Sequence, residues 1–204
     1  MDINEEGSEH IKEGYTRVSD ILHVWSKWDD MPARGKEQAE RKRRIGIRVH
    51  EAIHMFNNFI PTIFGHDDEE DAAEKYFESA IKWMQQLKVD VVGDEVRLYD
   101  DTLMITGGLD ALVHMPGEEG LILVDWKAAS TYNKQIALSW SLQGAFYSHL
   151  LRHNKYAELT PRMLFLQLDN EGGLPKLREF TFTPALLDQA MLLLKAYRVF
   201  NPIQ

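Results

Sequence analysis

Apolar residues recur at helical spacing in several stretches of the chain, and these stretches predict its helices. In residues 35–60, Ile45, Val49, Ile53 and Phe56 recur every three or four positions and predict the buried stripe of one long helix. Pro61 then ends that helix. Further helices are predicted after Ser19 as N-cap, from the acidic run at 67–71 to about Leu87, over residues 134–152, and from Pro184 to about Phe200 after the capping residue Thr183.

Short runs rich in Val, Ile and Leu predict the strands. The clearest pair is 105–115 and 121–127, joined by the connector Pro116-Gly-Glu-Glu-Gly120, which is a strand–turn–strand signal. Further strands are predicted at 89–93 and 95–99, as one strand or two, and at 161–168 and 176–183, as a second hairpin. The order of the elements predicts an α/β fold in which helices flank a mixed central β-sheet.

The first hairpin carries two carboxylates and an amine. Asp110 falls inside its first strand, and Asp125 lies near the end of its second strand. Lys127 lies two residues beyond Asp125, so both side chains leave the same face of a strand. We therefore expect the three groups to converge at one end of the sheet, where carboxylate oxygens are the ligands that Mg²⁺ prefers.

Four short motifs occur in an order that resembles a known nuclease family. Gly108-Leu-Asp110 followed by Asp125-Trp-Lys127 resembles the core of the PD-(D/E)xK nuclease superfamily. Upstream, Gly46-Ile-Arg-Val-His50 resembles the Gly-xxx-His motif of the RecB-like exonuclease branch, and downstream Gln143-Gly-Ala-Phe-Tyr147 resembles its Gln-xxx-Tyr motif. The four motifs cover roughly residues 43–150 and are similar to those of the phage and mitochondrial exonuclease type.

The resemblance implies a restriction-endonuclease-like core and a metal-dependent DNA exonuclease that hydrolyses phosphodiester bonds in DNA recombination, repair or replication. It implies one or two Mg²⁺ or Mn²⁺ ions, and an imidazole ligand favours Mn²⁺ somewhat. The implied ligands are His50, Asp110, Asp125 and the main-chain carbonyl of Trp126.

The resemblance also implies roles for residues around the metal. Lys127 is expected to be catalytic together with the two aspartates, by positioning the attacking water and offsetting charge on the phosphate. Gln143 and Tyr147, four apart on one helical face, are expected to order the site and contact the nucleic acid, although a buried Tyr on an amphipathic helix is the alternative. Glu95 matches a glutamate that is common in relatives on the preceding strand. It is expected to be a further metal ligand or a residue that contacts the ligands, with an exposed strand residue as the alternative.

Basic residues precede His50 on the long predicted helix. The run Arg41, Lys42, Arg43 and Arg44, followed by Arg48, is expected near the mouth of the site and is a candidate for contacts with the DNA backbone, with a solvated helix face as the alternative. His54 shares a face with His50. The family pattern requires only the first histidine, so for His54 we expect a supporting or solvent-facing role.

Composition limits the remaining choices. The 204 residues fit one nuclease domain over residues 16–204 after a flexible acidic leader at 1–15. The chain has no cysteine, which excludes disulfides, thiolate zinc sites and an iron–sulfur cluster ligated by cysteine. The net charge of −9 argues mildly against a protein that coats nucleic acid, but a nuclease also collects acidic groups around its metal.

No apolar run approaches the roughly 18 residues of a membrane span, and the N-terminus lacks the pattern of a signal peptide. We therefore expect no membrane partner and a cytoplasmic location, including that of a phage-encoded protein in its host. The expected partner is DNA, as single strands or duplex ends, with a recombination or replication protein as a further candidate.

Three other functions compete with an exonuclease. An endonuclease of the same fold has the same core motifs, and only His50 and the Gln143–Tyr147 pair favour the exonuclease branch. A catalytically inactive nuclease-fold module that binds DNA or acts as a scaffold usually loses the lysine or an aspartate, and this chain keeps both. A metal-dependent hydrolase acting on another substrate is disfavoured only by the family association of the Asp-x-Lys arrangement.

Overall fold

The computed structural model describes residues 12–23, 32–156 and 158–202. In chain order, the elements are β1 Thr16–Arg17, α1 Val18–Leu22, α2 Ala33–Asn57, α3 Asp68–Leu87, β2 Asp90–Asp100, β3 Ile105–His114, β4 Leu121–Lys127, α4 Lys134–His153, β5 Leu159–Gln167, β6 Lys176–Thr181 and α5 Pro184–Phe200. No described helix combines the length and the apolar character that crossing a membrane requires.

Within the described part of the chain, six strands form one mixed sheet. Strand β3 pairs antiparallel with β2 and β4, β4 pairs parallel with β5, and β5 pairs antiparallel with β6. Because β2 follows almost the whole length of β3, the opposite edge of β3 is shared by β4, which pairs at 111–113, and by β1, which pairs in parallel at 105–106. Residues 107–110 of that edge, here called the strand gap, have no strand partner among the described residues.

Helices cover both faces of the sheet, and each face has its own core. On one face α1, α4 and α5 bury residues such as Phe146 and Leu194 against Leu112 and Leu123 of the sheet. On the other face α2 and α3 bury Val49 and Trp83 against a set that includes Trp126. This arrangement confirms the predicted α/β fold with a mixed central sheet flanked by helices.

The helix predictions agree with the structure in their order and differ in detail. Asp67 and Thr183 cap α3 and α5 through their side chains, as predicted. Ser19 is not an N-cap, because α1 already begins at Val18 after a two-residue strand. Phe56 was expected in the buried stripe of α2 but is 38% exposed, since it lies in the last turn of that helix.

The predicted stretches 89–93 and 95–99 form the single strand β2. A register shift between Val91 and Gly93 interrupts its pairing with β3 without ending it. Residues 1–11 of the predicted acidic leader lie outside the described residues, and the single domain over residues 16–204 stays a prediction.

Candidate active site

The strand gap places a carboxylate where a backbone carbonyl would otherwise lie. Pairing between β3 and β4 ends at Ala111 and Val124, and the next residue of β3 is Asp110. Its Oδ2 accepts a hydrogen bond from the Trp126 backbone N–H at 2.7 Å. The Trp126 N–H is thus satisfied where β3 and β4 diverge, and the Asp110 carboxylate lies buried between the two strands.

Asp125 and Lys127 leave the same face of β4, as the strand period predicts. The Lys127 Nζ lies 2.5 Å from Asp125 Oδ1 and donates to Gln143 Oε1 at 3.0 Å. The ammonium also lies 5.4 Å from the ring centroid of Phe165, which shields it from water on that side. The Asp125 side chain is only 2% exposed, and its Oδ1 has no hydrogen bond of acceptable geometry from any described residue despite the nearby charge.

Helix α4 contributes an amide that joins these groups. Gln143 Nε2 lies 3.2 Å from Asp125 Oδ2 and 3.0 Å from the Tyr147 hydroxyl oxygen, while its Oε1 accepts from Lys127. Burial raises the pKa of the Tyr147 phenol, so this hydroxyl stays protonated at neutral pH. Asn133 caps the start of the helix by accepting a hydrogen bond from the Ile136 N–H.

Two glycines let α4 approach the sheet closely enough for these contacts. A Cβ at Gly107 would lie 2.7 Å from Tyr147 Cε1, and a Cβ at Gly144 would lie 2.8 Å from Met163 Sδ. Both distances are shorter than carbon or sulfur atoms tolerate. The small residue beside the Gly-Leu-Asp motif and the one inside the Gln-xxx-Tyr motif therefore have a packing role in assembling the site.

Helix α2 brings His50 to the site from the opposite face of the sheet. Buried Val49 and Ile53 anchor the helix, and His50 leaves it towards the strand gap. Its Nε2 lies 3.1 Å from the Trp126 carbonyl oxygen, and its Nδ1 lies 3.2 Å from Asp110 Oδ1. Both ring nitrogens thus face oxygen acceptors, an arrangement that suits an imidazolium donating from each nitrogen.

Glu95 lies directly across from Asp110, because its neighbours Asp94 and Val96 pair with Ala111 and Leu109. Its φ of 51° is in the left-handed region, which L-residues with a side chain rarely adopt. The Glu95 Oε1 lies 3.9 Å from His50 Nδ1. One ligand atom each from His50, Glu95 and Asp110 lie within 4.8 Å of one another, a spacing that suits a shared cation.

The electrostatics of the site are governed by three carboxylates, one imidazole and one ammonium. Burial lowers the pKa of His50, but the Asp110 charge and the hydrogen bonds to Asp110 and Glu95 outweigh it and raise the pKa well above 6.5. Burial raises the pKa of Asp110, and the charge and hydrogen bond of His50 reverse this, so its pKa lies below the ordinary value. Burial and the Asp110 charge raise the pKa of Asp125 to about 7, against the opposing effect of Lys127.

The basic residues before His50 are largely paired within the protein. Arg44 makes two hydrogen bonds to Glu69 at 2.9 and 2.6 Å, and Arg48 binds Glu70 at 3.1 Å together with the Ile63 carbonyl oxygen at 2.6 Å. The remaining members divide as follows: Arg41 lies 3.3 Å from the Asp68 carbonyl oxygen, Arg43 binds Glu40, and Lys42 has no ion pair with any described residue. The first turn of α3 is thus the principal partner of this run, and DNA contacts there stay a prediction.

The sequence did not point to two residues beside the site. Asp94, which is 16% exposed, accepts hydrogen bonds from Asn57 at 2.7 Å and Asn58 at 3.1 Å, and it lies 2.5 Å from His54 Nδ1. It therefore ties the end of α2 to β2 beside Glu95. Its position next to Glu95 and the spacing of His54 from His50 were the available signals.

The second of these residues is Arg97. It pairs with Gly108 across the strands, and its Cζ would lie 3.3 Å from a Cβ at that glycine. Because Gly108 has no side chain, the Arg97 guanidinium fits beside the strand gap. This placement depends on the register of β2 and β3, and no sequence motif indicates it.

No protein-family model matches the chain, and no curated protein sequence matches it either. Among solved structures, the chain is similar to a candidate exonuclease from Eubacterium rectale at 16% identity, with a TM-score of 0.55 over 100% of this chain and 88% of that one. It is also similar to SSO0001 at 12% identity, with a TM-score of 0.51 over 97% and 81% of the two chains. The alkaline exonuclease LHK-Exo from Laribacter hongkongensis aligns at 11% identity, with a TM-score of 0.47 over 92% and 87%. The first two likenesses show that the chain shares the fold of these proteins.

Proposed function

We propose that the chain is a metal-dependent deoxyribonuclease that hydrolyses phosphodiester bonds from DNA ends. The observation that carries this proposal is the meeting of buried Asp110 and Asp125 with the Lys127 ammonium at the strand gap. Burying two carboxylates this close together is costly unless cations compensate them. A site that accepts this cost is typical of a catalytic centre rather than of a structural ion pair.

The donor set fits a divalent cation of the Mg²⁺ or Mn²⁺ type. His50, Glu95 and Asp110 offer ligand atoms within 4.8 Å of one another, and the buried Asp125 Oδ1 lacks a hydrogen bond from the described residues. We assign His50, Asp110, Asp125 and the Trp126 carbonyl as ligands, with Glu95 as a further ligand or a group that orients His50. When bound, the ion would polarise a phosphate oxygen and lower the pKa of a water molecule.

The other residues position the water and the phosphate. Lys127 is held by Asp125, Gln143 and the Phe165 ring, so its ammonium is oriented before the substrate arrives. From there it can donate to the attacking water and offset charge that develops on the phosphate. Gln143, which also donates to the Tyr147 hydroxyl, holds the side chains of Asp125 and Lys127 in their relative positions. Arg97 lies beside Gly108, and its guanidinium is a candidate contact for a phosphate oxygen.

The exonuclease assignment is finer than the geometry requires. It is supported by His50 in its motif, by the Gln143–Tyr147 pair, and by the fold shared with a candidate exonuclease from Eubacterium rectale. Duplex ends or single strands of DNA are the proposed substrates, in recombination, repair or replication. An endonuclease of the same fold is the second candidate, because every polar residue at the strand gap serves either reaction.

The test uses end-labelled and circular DNA with Mg²⁺, with Mn²⁺ and with a chelator. We expect metal-dependent shortening from a labelled end, an intact circular substrate, and no cleavage by Lys127→Ala. Lys176→Ala, which removes an exposed lysine on β6, is the matched control and should cleave like the wild type. Cleavage of the circle would move the assignment to an endonuclease, and bound but uncut DNA would favour an inactive module.

A further inference from the structure

Phe59 follows α2 at a position where neither the backbone conformation nor burial favours a phenylalanine. Phe59 follows the C-cap Asn58 with a φ of 58°, and the Ile60 N–H donates to the Met55 carbonyl oxygen at 2.8 Å. This is the glycine-preferring position of a helix C-terminal turn, since a Cβ is strained at positive φ. The Phe59 side chain is 96% exposed, so burial does not offset that strain.

Two other long helices, α3 and α4, end with a residue in the same conformation. The turns that end α3 and α4 place Lys88 and Lys155 in the same left-handed conformation, at φ of 51° and 67°. An exposed ammonium near a helix C-terminus interacts favourably with the helix dipole, which compensates part of the strain. Phe59 has neither the freedom of glycine nor the charge of lysine. Residues that break a local rule without a local gain are concentrated at functional sites.

The segment that presents Phe59 is held in place by hydrogen bonds on both sides. Before it, the Asn58 side chain donates to the His54 carbonyl oxygen at 2.9 Å and to Asp94 at 3.1 Å. After it, Arg48 donates to the Ile63 carbonyl oxygen at 2.6 Å. The ring is therefore displayed from a fixed backbone, and its two-bond side chain loses little entropy when it is covered.

The same hydrogen bonds relate Phe59 to the candidate active site. Asp94, the partner of Asn58, is the neighbour of Glu95, which lies beside His50. Helix α2 ends two residues before Phe59, and the rise of its seven residues from His50 to that end corresponds to about 10 Å. Phe59 therefore lies roughly three to four stacked nucleotides from His50 along the direction of the helix. One short strand can thus lie across both the site and the ring.

We propose that Phe59 is a stacking platform for an unpaired base of the DNA strand whose phosphate lies at the strand gap. This inference rests on the proposed function, because it takes the strand to be the substrate. A flat aromatic face binds any base without reading its sequence, whereas paired bases of a duplex keep their faces covered. The platform therefore selects single strands or frayed ends, and this names the substrate class of the site.

The test measures binding in the presence of a chelator, so that cleavage plays no part. The probes are a short fluorescein-labelled oligothymidylate and a labelled blunt hairpin duplex whose loop is a non-nucleotide linker, so that it offers no unpaired loop bases. The Phe59→Gly and Phe59→Ala proteins lose one stacking contact, so they should bind oligothymidylate roughly tenfold more weakly than the wild type. The Phe59→Trp protein keeps an aromatic face and should bind it about as well as the wild type. None of the three substitutions should change the affinity for the hairpin. Phe200→Ala, which removes a phenylalanine that is 80% exposed on α5, is the matched control and should bind as the wild type does.

Stability gives a second, opposite readout. Glycine relieves the strain at position 59, so Phe59→Gly should melt at or above the temperature of the wild type while binding the single strand more weakly. Equal binding by Phe59→Gly and the wild type overturns the platform, and so does an equal loss on the hairpin. If the wild type binds neither probe, the proposed function fails together with the platform. Binding that is strong but insensitive to Phe59 overturns only the platform.

Discussion

Gly107→Ala is the substitution that tests most directly how the site is assembled. A Cβ at this position would lie 2.7 Å from Tyr147 Cε1 and 3.1 Å from Leu150 Cδ1. Both partners are buried on α4, at 6% and 0% exposure. The Tyr147 hydroxyl also accepts a hydrogen bond from Gln143, so its ring cannot turn away without breaking that contact.

The size of the effect follows from the size of the overlap. Carbon atoms pack best at about 3.5–4.0 Å, so the Gly107 Cβ would be roughly 1 Å too close to the ring. Overpacking of a well-packed core costs about 1–3 kcal/mol. For a chain of this length, that cost corresponds to a decrease in Tm of roughly 2–12 °C. A shift of α4 by about 1 Å would also move Gln143 from Asp125 and Lys127, and misplacement of that size can cost about 100-fold in rate.

The assay combines thermal unfolding with metal-dependent cleavage for Gly107→Ala, Tyr147→Ala and the double variant. If the Tyr147 ring is the obstacle, Ala at position 107 should cost much less stability once the ring is removed, and only the contact with Leu150 should remain. Equal costs in the two backgrounds would refute the steric account. A Gly107→Ala protein with the Tm and the cleavage rate of the wild type would refute the packing role of the glycine altogether.

Three further predictions follow from individual contacts. Apart from the backbone of α2 itself and the two chain neighbours, no atom of the described residues lies within 4 Å of a Cβ at Gly46, so Gly46→Ala should raise the free energy of unfolding by about 0.5–1 kcal/mol, and a lower Tm would contradict this. In the metal-free protein the His50 ring resonances should titrate well above pH 6.5 by NMR, because Asp110 and Glu95 outweigh burial, and Asp110→Asn should lower the midpoint. Burial raises the pKa of Asp100, but the amides of Leu103 and Thr102 and the His149 ring hold it below its ordinary value. Its contribution to stability is therefore complete above the ordinary pKa and is lost as the pH falls through the lower folded value, and acid unfolding of Asp100→Asn should lack that component.

Those parts of the site that depend on one local element followed from the sequence. The two-residue period of a strand brings Asp125 and Lys127 to one face, and the four-residue spacing of a helix does the same for Gln143 and Tyr147. The mixed sheet flanked by helices followed as well, because the order of strands and helices was clear. Local periodicity is sufficient for such features, since the residues concerned lie on the same element.

Features that depend on how two elements meet could not be predicted in this way. The pairing of Arg44 and Arg48 with Glu69 and Glu70, which arises because α2 packs against α3, was not predicted, and the expected place of the basic run near the mouth of the site stays a prediction. Those acidic residues lie in the first turn of their own helix, where the dipole favours them, and the same charges serve as partners of the neighbouring helix. The paired residues lie 22 to 25 positions apart in the sequence, on two different helices. The apolar periodicity of either helix alone therefore gives no sign of the pairing.

The unfavourable backbone conformations of Phe59 and Glu95 are connected, and this connection shows how the chain maintains them. Asn58 joins the turn that carries Phe59 to Asp94, and Asp94 immediately precedes Glu95. One carboxylate that accepts from the last turn of α2 therefore holds both left-handed residues at the same junction of helix and strand. Each of these conformations alone costs of order 1 kcal/mol or more. Because neither residue gains burial in return, the strain is best understood as the cost of placing a carboxylate beside His50 and a ring along the path of the strand.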